Sequence, residues 1–132
     1  MPHIIVEYSA NIEEKVRLEA FLEVLHNALV ATRIADIAGL RTRAERRDQF
    51  RIADNDPANG FIAVTVRVAQ GRSVETRKAL LEALTTAANK HLEQVWATTP
   101  FLLSIEIQEI DPTMRINQSN IRDWMKTREN AA

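Results

Sequence analysis

The first residue in this sequence that could do chemistry stands at position 2. If Met1 is trimmed, Pro2 becomes an amino-terminal secondary amine, and no other natural residue offers a free amine held rigid in a ring. Its lone pair then has a fixed direction. An α-amino group titrates near about pH 8 in water, and neighbouring cations or an apolar pocket lower that value by disfavouring the protonated form. A base poised near neutrality is what proton transfer requires. The plain alternative is that a small penultimate residue merely permits methionine removal, and the residue type alone leaves both readings open.

Arginines supply the complementary groups. Arg41, Arg43, Arg46, Arg47 and Arg51 crowd one stretch, opposed there only by Glu45 and Asp48. Such a cluster can be a strand edge guarded against aggregation. A nucleic-acid stripe fits poorly, because Phe50 is its one aromatic and no stacking series or binding motif accompanies it. The third reading is that Arg41 or Arg43, on a strand lining a cleft, forks onto a substrate carboxylate. Arg72 lies between Gly71, which permits close backbone approach, and Ser73, a good helix cap. An arginine there sits beside a helix N-terminus, whose partial positive charge also favours anions, although an exposed first-turn residue would look the same.

Other candidates carry less. His3, His26 and His91 have no metal-site spacing, and His91 falls on an apolar helical stripe, where a satisfied core histidine is the expectation. Glu106 and Glu109 share a strand with no visible carboxylate partner. No glycine-rich phosphate loop or serine-hydrolase elbow is present.

The elements that must position these groups read strand, helix, strand, twice over. His3 to Tyr8 is short, apolar and β-branched, as a buried strand should be. Asn11, with Glu14 three residues on, offers a helix cap, and Leu18, Phe21, Leu22, Leu25 and Leu29 follow at helical spacing. Gly39 marks a turn before a half-exposed strand from Leu40 to Ala44. Asp54 to Gly60 concentrates turn formers and divides the chain. Phe61 to Val68 is a strand, Gly71-Arg72-Ser73 opens a helix, and Leu80, Leu84, Ala87, His91 and Val95 continue its stripe. Phe101 to Ile110 is the closing strand, Asp111-Pro112 ends it, and a polar tail with a short helix around residues 120–126 remains.

Each strand, helix, strand unit joins parallel strands through a crossover. The expected architecture is therefore α/β (α+β), one domain over residues 1–132, with units at about 2–53 and 61–112 and a tail at 113–132. Two such units give a four-stranded sheet with both helices on one face. The other face, holding Ile62, Val64, Val66 and Val68 or their alternating partners, is too apolar for water, so bare faces should pack together in a ring of subunits.

Composition narrows the partners. The 132 residues are 45% apolar, right for a single domain. The net charge of −1 creates no field to recruit nucleic acid or an anionic membrane. No run approaches the roughly 20 apolar residues of a membrane span, and the start does not resemble a signal peptide. With zero cysteines, disulfides and thiolate chemistry are excluded, which suits the cytoplasm.

Taken together, residues 1–7, Gly39 to Arg43, Gly71 to Arg77, Ser104 to Pro112 and Asn120-Ile121 resemble the 5-carboxymethyl-2-hydroxymuconate isomerase family of the tautomerase superfamily. The similarity runs from Pro2 to about Ile121. It implies a homotrimer of doubled units, without cofactor or metal, acting on a small dicarboxylate or tricarboxylate. It assigns Pro2 as catalytic base, with Arg41 and Arg72 as catalytic and substrate-binding arginines and Arg43 as a further substrate-binding one. The reaction implied is enol-to-ketone tautomerisation of a 2-hydroxymuconate-type acid. Decarboxylation or hydration of a small oxo acid on the same scaffold, or a non-catalytic trimeric binding module, are the alternatives. Setting Asn11 against Ser73 places Pro2 opposite Val64, Arg41 opposite Leu103 and Arg72 opposite Ala10, within a few residues. Each half then lacks part of the site, giving three working sites per trimer rather than six. The stretch Arg33 to Asp36 departs from the family pattern, which is usually richer there in glycine and proline.

Overall fold

A computed structural model describes residues 2–131. Strand β1 (His3–Ser9) leads through a 3-10 turn (Ala10–Ile12) into the short helix α1 (Glu13–Val16) and then α2 (Leu18–Thr32). A second 3-10 turn (Ile37–Gly39) precedes β2 (Arg41–Arg47). The second half repeats the order with β3 (Gly60–Ala69), α3 (Val74–His91), α4 (Glu93–Thr98) and β4 (Phe101–Ile110), and the chain closes with α5 (Ile121–Ala131). The strands form one sheet in the order β2-β1-β3-β4. The outer pairs, β1 with β2 and β3 with β4, are parallel, and the central pair is antiparallel.

Alternation decides which residues face the helices. Ile4, Val6 and Tyr8 of β1 and Ile62, Val64, Val66 and Val68 of β3 are buried against Phe21, Leu25 and Leu29 of α2 and Leu80 and Leu84 of α3. The valines and isoleucine of β3 are therefore core, and they do not form the bare face. That face is mixed. Its row nearest Pro2 runs Arg41, His3, Arg67, Gln108, while the row at the far end sets Arg47 beside Ser9 and Leu102 beside Phe61. It grades from basic to apolar, so the expectation of a uniformly apolar second face fails; the apolar area is confined to one end.

Two local expectations also shift. Asn11 does not cap a helix. The chain enters by the 3-10 turn, and Arg17 adopts a left-handed conformation (φ 52°) that breaks α1 from α2. The Asn11 amide instead donates to the carbonyls of Asn59 and Pro57, at 2.8 and 3.2 Å, and so ties down the loop between the halves. Along α3 and α4 the buried stripe runs Leu80, Leu84, Ala88, Leu92, Val95, in place of Ala87 and His91. His91 lies beside it, half-buried against the Phe21 ring, and its Nε2 donates to the Val16 carbonyl at 2.7 Å. The cap expected at Ser73 is present, its hydroxyl accepting from the Thr76 amide at 3.1 Å.

Candidate active site

Because β1 and β2 run parallel while β3 runs against β1, the start of the first two strands and the end of the third meet at one edge of the sheet. Pro2, Arg41 and Arg72 all fall there. Pro2 is buried, and its carbonyl accepts the Arg41 amide at 3.2 Å. The loss of Met1 lies outside the described residues.

Arg41 and Arg72 grip the loop at 34–40 from its two ends. The Arg41 guanidinium donates to the Gly39 carbonyl at 3.1 Å and to the Asn117 amide oxygen at 2.7 Å. Arg72 follows Gly71, whose φ of +113° lets the chain turn out of β3. Its two terminal nitrogens donate to the carbonyls of Ile34, at 2.5 Å, and Ala69, at 3.1 Å. Between the arginines lies a cavity of about 360 Å³ lined by Asp36, Gly39, Arg72, Asn117, Ser119 and Arg122, with alanine side chains between them. Arg72 is in its wall, and Arg41 reaches its rim through Gly39 and Asn117. Asp36 accepts the Ala38 amide at 2.8 Å and pairs with Arg122.

Arg43 stands apart from this cavity. It lies one row further along the bare face, and its guanidinium approaches His3 Nδ1 at 3.1 Å. Arg41 approaches His3 Nε2 at 3.3 Å. Burial first, then the charges of Arg41, Arg43, Arg67 and the amino terminus, lower the His3 pKa from 6.5 to about 4. The ring is neutral near pH 7. A neutral imidazole has one accepting nitrogen, so only one of the two arginine contacts is a hydrogen bond in a given tautomer.

Two of the remaining arginines of the cluster are engaged elsewhere. Arg46 pairs with Glu13 and Asp48, and Arg47 with Glu7 and Glu45, all at exposed positions. Here the reading as a guarded strand edge holds, since β2 is an outer strand. Tyr8 donates to Glu13 at 2.5 Å, and its hydroxyl is pushed up to about 12 by burial and by that carboxylate.

Residues 2–125 match the sequence model of the 5-carboxymethyl-2-hydroxymuconate isomerase family. The chain belongs to this family. It is 32% identical, over 96% of its length and all of the relative, to the 5-carboxymethyl-2-hydroxymuconate Delta-isomerase of Escherichia coli. A crystal structure of a 5-carboxymethyl-2-hydroxymuconate isomerase from Deinococcus radiodurans R1 superposes with a TM-score of 0.87 at 29% identity, covering 94% of this chain and 93% of the other. A fused 4-OT, a symmetric trimer, shares the fold at a TM-score of 0.67 and 22% identity, over 89% of this chain and 92% of the other. Family membership makes this an isomerase fold of the tautomerase superfamily, as the residues of the two β-α-β units suggested.

Around the candidate cavity, sequence reasoning missed Asp36, Asn117, Ser119 and Arg122. Asn117 and Ser119 lie in a tail without apolar periodicity, and nothing in the sequence signals that the tail returns to the loop before β2. Arg122 occupies the first turn of α5, where the sequence suggested a helix but no role. The stretch that departs from the family pattern forms part of the same wall. Arg33 ends α2 in a left-handed conformation (φ 59°), Ile34 offers its carbonyl to Arg72, and Ala35 and Asp36 line the cavity.

Proposed function

We propose that the chain is a cofactor-independent tautomerase acting on 5-carboxymethyl-2-hydroxymuconate or a similar 2-hydroxymuconate-type acid, with Pro2 as its first residue and its base. The observation that carries this reading is that Pro2 bonds Arg41 at the sheet edge where Arg41 and Arg72 of the same chain grip the loop that walls a polar cavity. The neutral Pro2 nitrogen takes the enol hydroxyl proton and returns a proton to the distal carbon, so the double bond shifts and an unsaturated ketone forms. Arg41 and Arg72 hold carboxylates and stabilise negative charge as it develops at the 2-oxygen. Arg72 uses two of the five donors of its guanidinium on backbone carbonyls, which fixes the fork and leaves donors for a substrate. Arg43 acts on the substrate only through His3.

The working assembly in this reading is a homotrimer of a doubled unit, and the setting is the cytoplasm. Support comes from the trimeric fused 4-OT relative and from the apolar end of the bare face, where Phe50, Ile52, Phe61 and Leu102 border a cavity of about 370 Å³. The strand pairing bears on the match between the halves as well. Setting the pair His3 and Arg41 of the first half against the pair Phe61 and Leu102 of the second puts Pro2 against Gly60, within the few residues' latitude of the match to Val64. The second half thus offers two apolar side chains where the first has imidazole and guanidinium, which supports three sites per trimer.

The test is to mix the protein with 2-hydroxymuconate and its 5-carboxymethyl homologue and to follow ketone formation by absorbance. Mass spectrometry establishes whether Met1 is absent. Pro2→Ala, and a form retaining Met1, are expected to lose at least 10²-fold in kcat/KM, the usual scale for a general base. Wild-type rates from either would overturn the assignment of Pro2.

A further inference from the structure

The substrate named by the family carries three carboxylates, two on the muconate skeleton and one on the carboxymethyl arm. Arg41 and Arg72 account for two. Arg43 is poorly placed for the third, because it lies in the next row of the sheet with its guanidinium against His3 and is not in the cavity wall. A second guanidinium stands in that wall with Arg72. Arg122, from the first turn of α5, lines the same cavity as Arg72 and is tethered there by Asp36.

The tether is built from the loop itself. Asp36 spends one carboxylate oxygen on the Ala38 amide, as the cap of the turn Ile37–Gly39, and presents the other to one terminal nitrogen of Arg122. The single contact occupies one end of a fork with five donors, so the rest of the guanidinium can serve a ligand without release of the tether. Charge supports the same direction. The wall holds two arginines against one aspartate, the N-terminus of the eleven-residue helix α5 lies beside it, and the neutral donors of Asn117 and Ser119 fill the interval.

We propose that Arg122 is a specificity-determining residue that binds the carboxylate of the substrate's side arm and so makes the enzyme prefer tricarboxylates to dicarboxylates. This assignment rests on the tautomerase reading above. Arg122 touches neither the enol oxygen nor the carbon that gains the proton, so its contribution enters through binding and appears in KM.

The experiment compares the wild type with Arg122→Gln and Arg122→Lys on the 5-carboxymethyl acid and on plain 2-hydroxymuconate. In the glutamine variant the ratio of the two kcat/KM values should fall roughly tenfold, mainly through KM of the tricarboxylate, as expected for loss of one charge-assisted contact. Lysine should restore part of the ratio. A ratio within twofold of the wild type in Arg122→Gln, or equal losses on both substrates, would overturn the proposal. A binding readout keeps it testable if the wild type turns over neither enol, an outcome that would sink the proposed function instead. By calorimetry, the saturated tricarboxylate propane-1,2,3-tricarboxylate should bind the wild type more tightly than glutarate, and Arg122→Gln should erase the difference. No preference in the wild type, or a preference that survives the substitution, overturns the role of Arg122.

Discussion

Replacing Arg72 with alanine removes two things at once, and the structure allows them to be separated. The first, in the proposed mechanism, is positive charge beside the reacting oxygen. Losing a preorganised donor of this kind typically costs about 2.7 to 4 kcal/mol in the transition state, or roughly 10² to 10³ in kcat. The second is the pin on the loop at 34–40, because the same side chain bonds the carbonyls of Ile34 and Ala69. Hydrogen bonds from a charged group are worth about 1.5 to 3 kcal/mol each when buried; these are partly buried, so about 2 to 4 kcal/mol for the pair is reasonable. At about 4 °C per kcal/mol for a chain of this size, Tm should fall by roughly 10 °C. The assay is ketone formation at two temperatures, one well below the lowered Tm, together with a melting curve. At the lower temperature Arg72→Ala should still be at least 10²-fold slow in kcat, and millimolar guanidinium should recover part of that loss. If activity returns to within tenfold of wild type once the variant is cool enough to stay folded, Arg72 only pins the loop and the electrostatic argument is wrong.

Two further outcomes test the surroundings of the site. The His3 pKa lies near 4 in the folded chain against 6.5 for the free side chain, so between those values the unfolded chain binds the proton more readily. The resulting loss of stability is absent above about pH 6.5, grows as the pH falls, and is complete below about 4. Urea midpoints should therefore drop more steeply from pH 7 to 4.5 in the wild type than in His3→Gln, and parallel slopes would show that His3 is not the group responsible. Gly60→Ala would place a methyl 2.4 Å from the fully buried Ile12 Cγ2. Overpacking of this kind costs about 1 to 3 kcal/mol, to be read as a lower Tm, and an unchanged Tm would mean that Ile12 can move aside.

Much of the architecture was legible because each element has one dominant periodicity. Phe21, Leu25 and Leu29 recur every four residues, and Ile4 and Val6 alternate. The face of β3 was less legible because Phe61 and Ala63 are apolar as well, so alternation marks two faces without saying which meets the helices. The Asn11 cap failed for a related reason. An amide can serve a helix end or a distant loop equally well, and the backbone break at Arg17, a non-glycine residue with positive φ, has no signature in residue type. Pro2, Arg41 and Arg72 were visible as isolated residues and gathered into a candidate site only when the parallel pairing of β1 with β2 and its antiparallel pairing with β3 brought the strand ends together. Arg122 was out of reach, because its partner Asp36 lies in the other half of the chain and no pattern of residue types links the tail to the loop before β2.

The position of β1 also bears on how the protein is made. Of the four strands, β1 is made first, and it is an inner strand of the sheet, bonded to β2 along one edge and to β3 along the other. Its first partner pairs His3 with Arg41, and its second pairs His3 with Arg67. Until residue 69 has emerged, the segment that carries Pro2 has no complete sheet to join, and the loop gripped by Arg72 has no clasp. A nascent chain therefore holds Pro2 without the second half of its sheet until then, and a stalled ribosome displaying only the first half should show no isomerase activity.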